Sequence, residues 1–191
     1  KFKGYTYNNE EKTVLIQEIP ADKGGIKDMK ARAKDFGRNK EEIKDNILKK
    51  CIDARLFGAT VALEKDSITL TGPVQFNMMN KSKNKESITS VGHSFSMSSK
   101  EGKGQGSMAT EYIVPYSFIE VNGIINENAA ADTLLTEDDV LLLLEGLWDG
   151  TKNLITRSKF GQMPRLLLKV TYHEKNYHIG DLGKLVKLVP K

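Results

Sequence analysis

Residues 51–76, reading CIDARLFGATVALEKDSITLTGPVQF, constrain this chain more than any other stretch. They spell the end of a helix, a β-hairpin, and a Thr-Gly-Pro turn that launches a short strand. The second hairpin strand, residues 67–70, is rich in β-formers, and Gly72-Pro73 stops it sharply. The residues N-terminal to this stretch read as lead-in. C-terminal to it lie a long polar segment and then a strand–helix–strand unit fit to pack beside the hairpin.

The 191 residues suffice for one core, or for a core with a large appendage. A 39% apolar content and a mean hydropathy of −0.42 suit a soluble protein, and no run approaches the roughly 18 to 20 apolar residues of a bilayer span. No signal segment opens the chain, and because the first residue is Lys1 we read the sequence as a piece or a processed form of a longer protein. The single cysteine, Cys51, excludes an intrachain disulfide and a cysteine-based metal cluster, and points to the cytoplasm. The net charge of +4 and pI near 9.0 permit a polyanion partner without requiring one.

Taken in order, residues 13–19 read as a strand ended by Pro20, and residues 26–36 as a short charged helix closed by Gly37. Asn39 with Glu42 three residues on starts a helix that runs to about residue 57. On its wheel Ile43, Ile47, Cys51 and Ala54 form one apolar row, with Leu48, Ile52 and Leu56 beside it. Cys51 on that row reads as a buried structural thiol, since no helix N-terminus or nearby His would activate it. Asp53 reads as a salt-bridge partner for Lys49 or Lys50. Arg55 falls inside the apolar arc, where a guanidinium needs an acid, several carbonyls or a phosphate.

Residues 77–111 form the most unusual segment, 35 residues of Ser, Lys, Asn, Gly and Met with little periodicity. Lys81, Lys83, Lys85, Lys100 and Lys103 stand against Glu86, Glu101 and Glu111. The Ser-Phe-Ser-Met-Ser run at 94–98 suggests an arm of an extended hairpin with Phe95 and Met97 on one face. Basic residues around apolar wedges suit a single-stranded nucleic acid, and a solvated loop with a small anchoring cluster is the plainer reading. Residues 112–125 read as a strand. Thr136 caps the next helix, whose core face is Val140, Leu141, Leu143, Leu144, Leu147 and Trp148, with Leu142 pointing away and Gly150 closing or bending the helix. Arg157, Lys159, Gln162 and Arg165 then make a basic loop suited to tracking phosphates. Strands are expected at 166–172 and about 177–179, and the apolar tail at 185–189 is expected to dock on the core. His93, His173 and His178 have no metal spacing with Asp or Glu, and no Ser-His-Asp order stands out.

Four motifs now converge. Asp-Ala-Arg-Leu-Phe-Gly at 53–58, Thr-Gly-Pro-Val-Gln-Phe at 71–76, Val-Pro-Tyr at 114–116, and Leu-Thr-Glu-Asp-Asp-Val at 135–140 with Leu147-Trp148 together resemble the CRISPR-associated Cas-seven backbone subunits, most nearly the type I-B (Csh-two) branch. The resemblance covers about residues 26–172. It implies an α+β fold: a ferredoxin-like, RNA-recognition-motif-like palm lacking its first strand, with residues 77–111 as an inserted thumb. Residues 1–191 would form this one incomplete palm, with 1–38 as peripheral lead-in. The N-terminal Asn-Pro-Asn-Gly-Asp-like segment of the family does not occur here, and the loop after Gln75 departs from it in carrying Met78 and Met79.

The implied function is a non-catalytic subunit that binds guide RNA (crRNA) without cofactor or metal. It would polymerise with copies of itself into a helical filament beside other Cascade subunits, reaching target DNA through the guide, away from any membrane. The RNA-binding candidates are Arg55, Gln75, Lys81, Lys83, Lys85, Phe95, Met97, Lys100, Lys103, Arg157, Lys159, Gln162 and Arg165. A metal-dependent RNA endonuclease subunit of a type III-like complex is the alternative. A free-standing RNA-binding domain is a third reading, which lacks the aromatic pair that single-strand recognition on such sheets uses.

Overall fold

The computed structural model describes the backbone of residues 5–7, 10–21, 24–64, 66–77, 82–96, 106–157, 159–187 and 189, and their side chains apart from those of 5–7, 10–12, 93–96 and 106–109. The chain is mixed α+β and falls into two units, Lys1–Gln75 with Gly123–His178, and Phe76–Asn122 with Ile179–Lys191.

In the first unit β1 (Tyr5–Tyr7) and β2 (Glu10–Lys12) pair antiparallel, and α1 (Met29–Lys34) is capped by Asp28, which accepts from the Ala31 amide. The helix expected to run from Asn39 to residue 57 is instead two: α2 (Lys40–Lys50) and α3 (Ile52–Phe57), parted at an extended Cys51. The reason lies upstream. Thr13 docks on the break in parallel register, donating its N–H to the Lys50 carbonyl (3.1 Å) and accepting from the Ile52 amide (3.2 Å). Asp53 then accepts from the amides of Leu15 (2.8 Å) and Ile16 (3.0 Å). Residues 13–19 therefore form no strand, and Asp53 holds backbone where a lysine partner was expected. Asn39 caps α2 as read, but the Glu42 carboxylate turns to the Arg38 amide.

The apolar row continues across the break. Ile43, Ile47, Leu48, Cys51 and Ala54 bury against Leu15, Phe36 and the hairpin residues Val61, Ile68 and Leu70. That hairpin is β3 (Gly58–Ala62) and β4 (Ser67–Thr71), registered Gly58↔Thr71 through Ala62↔Ser67. Its alternation is clean: Ile68 and Leu70 point in, Ser67, Thr69 and Thr71 out. Gly58, at φ +74°, lies directly against Gly72, so a Cβ on either would strike the other's backbone.

The turn delivers β5 (Val74–Phe76), where the chain leaves the first unit. In the second unit the described residues on either side of the hairpin arm at 89–113 approach each other at two points. The Asn77 amide meets the Asn122 carbonyl (2.8 Å), and the Lys83 amide meets that of Phe118 (2.8 Å). Beyond them β6 (Thr89–Ser96) and β7 (Gly106–Ile113) pair from Thr89↔Ile113 to Ser96↔Gly106. The strand expected over 112–125 thus divides, because residues up to Ile113 belong to the arm and Pro115 offers no N–H to continue a ladder.

On return to the first unit, β8 (Gly123–Ile125) pairs with β5 and leads into α4 (Glu127–Thr133), a helix without clear sequence signal. Then comes α5 (Glu137–Asn153), capped by Thr136 in a full capping box with Asp139 and running through Gly150. Ile52, Leu56 and Val74 form a second buried cluster, against which Leu142 and Leu143 pack. Leu141 is the residue left outside, 48% exposed, reversing the expected roles of these two neighbours. Residues 166–172 and 177–179 carry no strand, and Leu166 and Leu168 are exposed. A short α6 (Leu182–Leu185) in the second unit precedes a tail whose Leu185 and Val189 are exposed, against the expected docking. Among the described residues the strands lie in four two-stranded sheets, where a single palm sheet was expected.

Candidate nucleic-acid interface

The helix break at Cys51 strands the carbonyls of Leu48 and Lys49, which a continuous helix would have bonded. Arg55 supplies the missing donors. Its Nη1 donates to Leu48 O (2.8 Å) and Lys49 O (3.1 Å), while Nε and Nη2 donate to the two carboxylate oxygens of Asp139, each at 2.7 Å. Arg55 and Asp139 are both buried. Burial alone would raise the Asp139 pKa, but the guanidinium's hydrogen bonds and charge outweigh it, with help from Thr136, and hold it below the ordinary carboxylate value. Of the partners open to Arg55 in the sequence, the acid and the carbonyls are the ones realised. This candidate for RNA contact is a structural cross-link inside the first unit. Its neighbour Cys51 is fully buried, and desolvation, then the Asp53 charge, push its thiol up to about 12.

The second basic segment has the opposite character. Residues 150–173 contain Lys152, Arg157, Lys159, Arg165 and Lys169 and no Asp or Glu. The Thr156 carbonyl accepts from the amides of Lys159 (3.1 Å) and Phe160 (2.9 Å), and the Lys159 carbonyl accepts from that of Gln162 (3.2 Å). Gly161, at φ +82°, turns the chain. Arg157, Lys159, Gln162 and Arg165 are all exposed on or beside this turn. Lys169 lies 3.5 Å from Glu137. Lys159 and Arg165 thus face solvent at and just beyond this turn.

The candidates in the second unit divide. The Lys83 ammonium pairs with Glu120 at 2.5 Å and donates to the carbonyls of Gly183 (2.7 Å) and Val186 (3.2 Å), so it fastens the C-terminal segment to the base of the arm. The hydrogen bonds from Lys83 and then Asn122 lower the Glu120 pKa. Lys85 is exposed. Phe95 belongs to β6 opposite Ser107, with its side chain outside the described set, and Lys81, Met97, Lys100 and Lys103 lie outside the described residues. Gln75, in the first unit, is exposed and donates to the Gly72 carbonyl (3.0 Å).

Sequence reasoning missed Asp139 as the partner of Arg55, and the signal was present: an acid at the third position of a Thr-capped helix faces back toward its own N-terminus. Among the described residues no three His, Cys, Asp or Glu side chains gather around a possible metal position, and no helix is long and apolar enough to cross a membrane.

Comparison with known proteins adds two findings. A family model described as CRISPR-associated protein Cas7 matches residues 1–191. A Haloferax volcanii protein with the same description is 31% identical over 201 residues, covering 93% of this chain and 55% of the relative. The chain therefore spans little more than half the length of that relative.

Proposed function

The chain belongs to the CRISPR-associated Cas7 family, and on that premise we propose that it is a non-catalytic guide-RNA-binding backbone subunit of a type I effector complex, most nearly of the type I-B branch. The observation that carries the reading beyond membership is the acid-free basic segment, whose Lys159 and Arg165 are exposed on the first unit. Cations of this kind displace counterions from an RNA backbone, which makes binding tighten with length and weaken with salt. Phosphates carry no base identity, so such contacts hold any guide.

The paired arm of the second unit supports the thumb reading. Eight residues per strand give β6 and β7 a length of about 25 Å, enough to reach across several nucleotides. The first unit, with its β3–β4 hairpin backed by α2 and α3, would serve as the palm. Copies of the chain along one guide, beside other Cascade subunits, would then present it to target DNA.

The test is RNA binding by the purified chain with guide-length single strands of several sequences, across a salt series. Replacing Arg157, Lys159 and Arg165 together by Ala is expected to weaken all sequences about equally and to flatten the salt slope by up to about three. Selective loss for one sequence would mean that these residues read bases. Incubation with matched RNA and Mg²⁺ separates the endonuclease alternative: an intact target supports the scaffold, and periodic cuts would overturn its non-catalytic part.

A further inference from the structure

Resting on that reading, we propose that Phe160 is the base-stacking residue of the basic segment, its ring carrying one base of a single-stranded RNA whose flanking phosphates meet Lys159 and Arg165. Phe160 is 81% exposed, the most exposed of the described aromatic residues. It does not sit on a slack tether. The two amides converging on Thr156 O and the Lys159–Gln162 bond fix the backbone on both sides of it, and Gly161 supplies the left-handed turn that carries the chain on past the ring. An apolar ring held out in water on a defined turn has given up burial, and a flat ligand face restores it.

The surroundings name the ligand class. Residues 150–173 carry five cations and no carboxylate of their own, and although Lys169 is paired with Glu137 the excess of positive charge disfavours a basic partner and favours a polyanion. A single-stranded RNA needs both parts of this arrangement, cations for its phosphates and a π-face for its unstacked bases. A duplex, with its bases already stacked on one another, needs only the first. The structure therefore assigns this turn a preference for single strands that the lysines and arginines alone would not create.

The experiment compares wild type, Phe160→Ala and Phe160→Tyr on single-stranded RNA, on an abasic ribose-phosphate oligomer of equal length, and on duplex RNA. Phe160→Ala is expected to weaken single-strand binding about 5- to 150-fold with an unchanged salt slope, because no charge is removed. Phe160→Tyr restores the affinity, the three proteins bind the abasic oligomer equally, and 2-aminopurine in the strand is quenched by wild type and not by Phe160→Ala. Equal affinity of Phe160→Ala and wild type for single strands overturns the inference and leaves the functional reading standing. So does an equal loss on the abasic oligomer, or a change in self-association without RNA, which would make Phe160 a protein contact. Failure of wild type to bind any single-stranded RNA defeats the functional reading itself, and the assignment of Phe160 falls with it.

Discussion

Replacing Asp139 by Asn keeps the shape of the side chain and removes its charge, leaving the Arg55 guanidinium buried without an anion and one of its donors facing an amide N–H₂. Arg55 and Asp139 are 3% and 1% exposed, so solvent does little to relieve either. Breaking such a pair from one side costs about 3–5 kcal/mol, a large share of the 5–15 kcal/mol by which domains are typically stable. Arg55→Met is expected to cost more, because the Leu48 and Lys49 carbonyls lose their donors as well and each unsatisfied buried acceptor adds about 1–3 kcal/mol. The double variant Arg55→Met with Asp139→Leu removes both charges and is expected to fall well short of the sum of the singles. Urea denaturation followed by the fluorescence of Trp148, the only tryptophan, reads the unit that contains the pair. A cost below about 1 kcal/mol for Asp139→Asn would place the pair with surface salt bridges and refute the reasoning. Where the variants remain folded, RNA affinity of Arg55→Met within twofold of wild type is expected, and a larger loss would return Arg55 to the interface.

The depressed pKa of Asp139 sets a pH dependence of known sign: a carboxylate lower in the folded state than in the unfolded one stabilises above the unfolded value and loses that contribution as pH falls through the folded one. The wild-type urea midpoint should therefore drop below about pH 4 by more than that of Asp139→Asn, and parallel profiles would contradict this. Gly58→Ala is expected to destabilise by at least about 2 kcal/mol through its φ of +74° and its contact with Gly72. Gly146→Ala, in α5 with open space around its Cβ position, should stabilise by about 0.5–1 kcal/mol, and equal signs in melting experiments would sink the comparison. Cys51, with its thiol raised to about 12, should resist iodoacetamide at pH 8 until urea unfolds the chain. Rapid native labelling would show that residues 13–16 open readily.

Much of the first unit was legible because its signals are local. The Thr136 cap, the β-forming run of β4 and the stop at Gly72-Pro73 each depend on a few neighbouring residues, and each appears as read. The apolar row Ile43, Ile47, Cys51, Ala54 was also legible, yet it concealed the helix break, since periodicity measures which face is buried and not whether the hydrogen bonds continue. The β-rich run at 166–172 shows the converse failure: strand propensity records fit to a pleated, half-buried surface, and none of the described strands pairs with this run. On the candidate interface, charge was visible in the sequence, and the use of each charge was not. Arg55 and Lys83 are committed to carbonyls and carboxylates, while Lys159 and Arg165 stand exposed.

The amino-acid order by itself determined the Asn39 and Thr136 caps, the Gly72-Pro73 turn, the apolar row from Ile43 to Ala54 and the family signature, because all of these are written in short spacings. Leu-Phe-Gly and Gly-Pro-Val-Gln belong together because Gly58 and Gly72 touch, but only the fold displays that reason. Tertiary structure alone decided that Thr13 splits the helix, that Leu142 packs while Leu141 does not, and that an arginine at position 55 meets an acid 84 residues away. These are contacts between segments remote in the chain. Thr13 and Arg55 are placed by which buried polar group would otherwise be left unsatisfied, and Leu142 by the apolar surface of Ile52, Leu56 and Val74, balances that exist only once the core has closed.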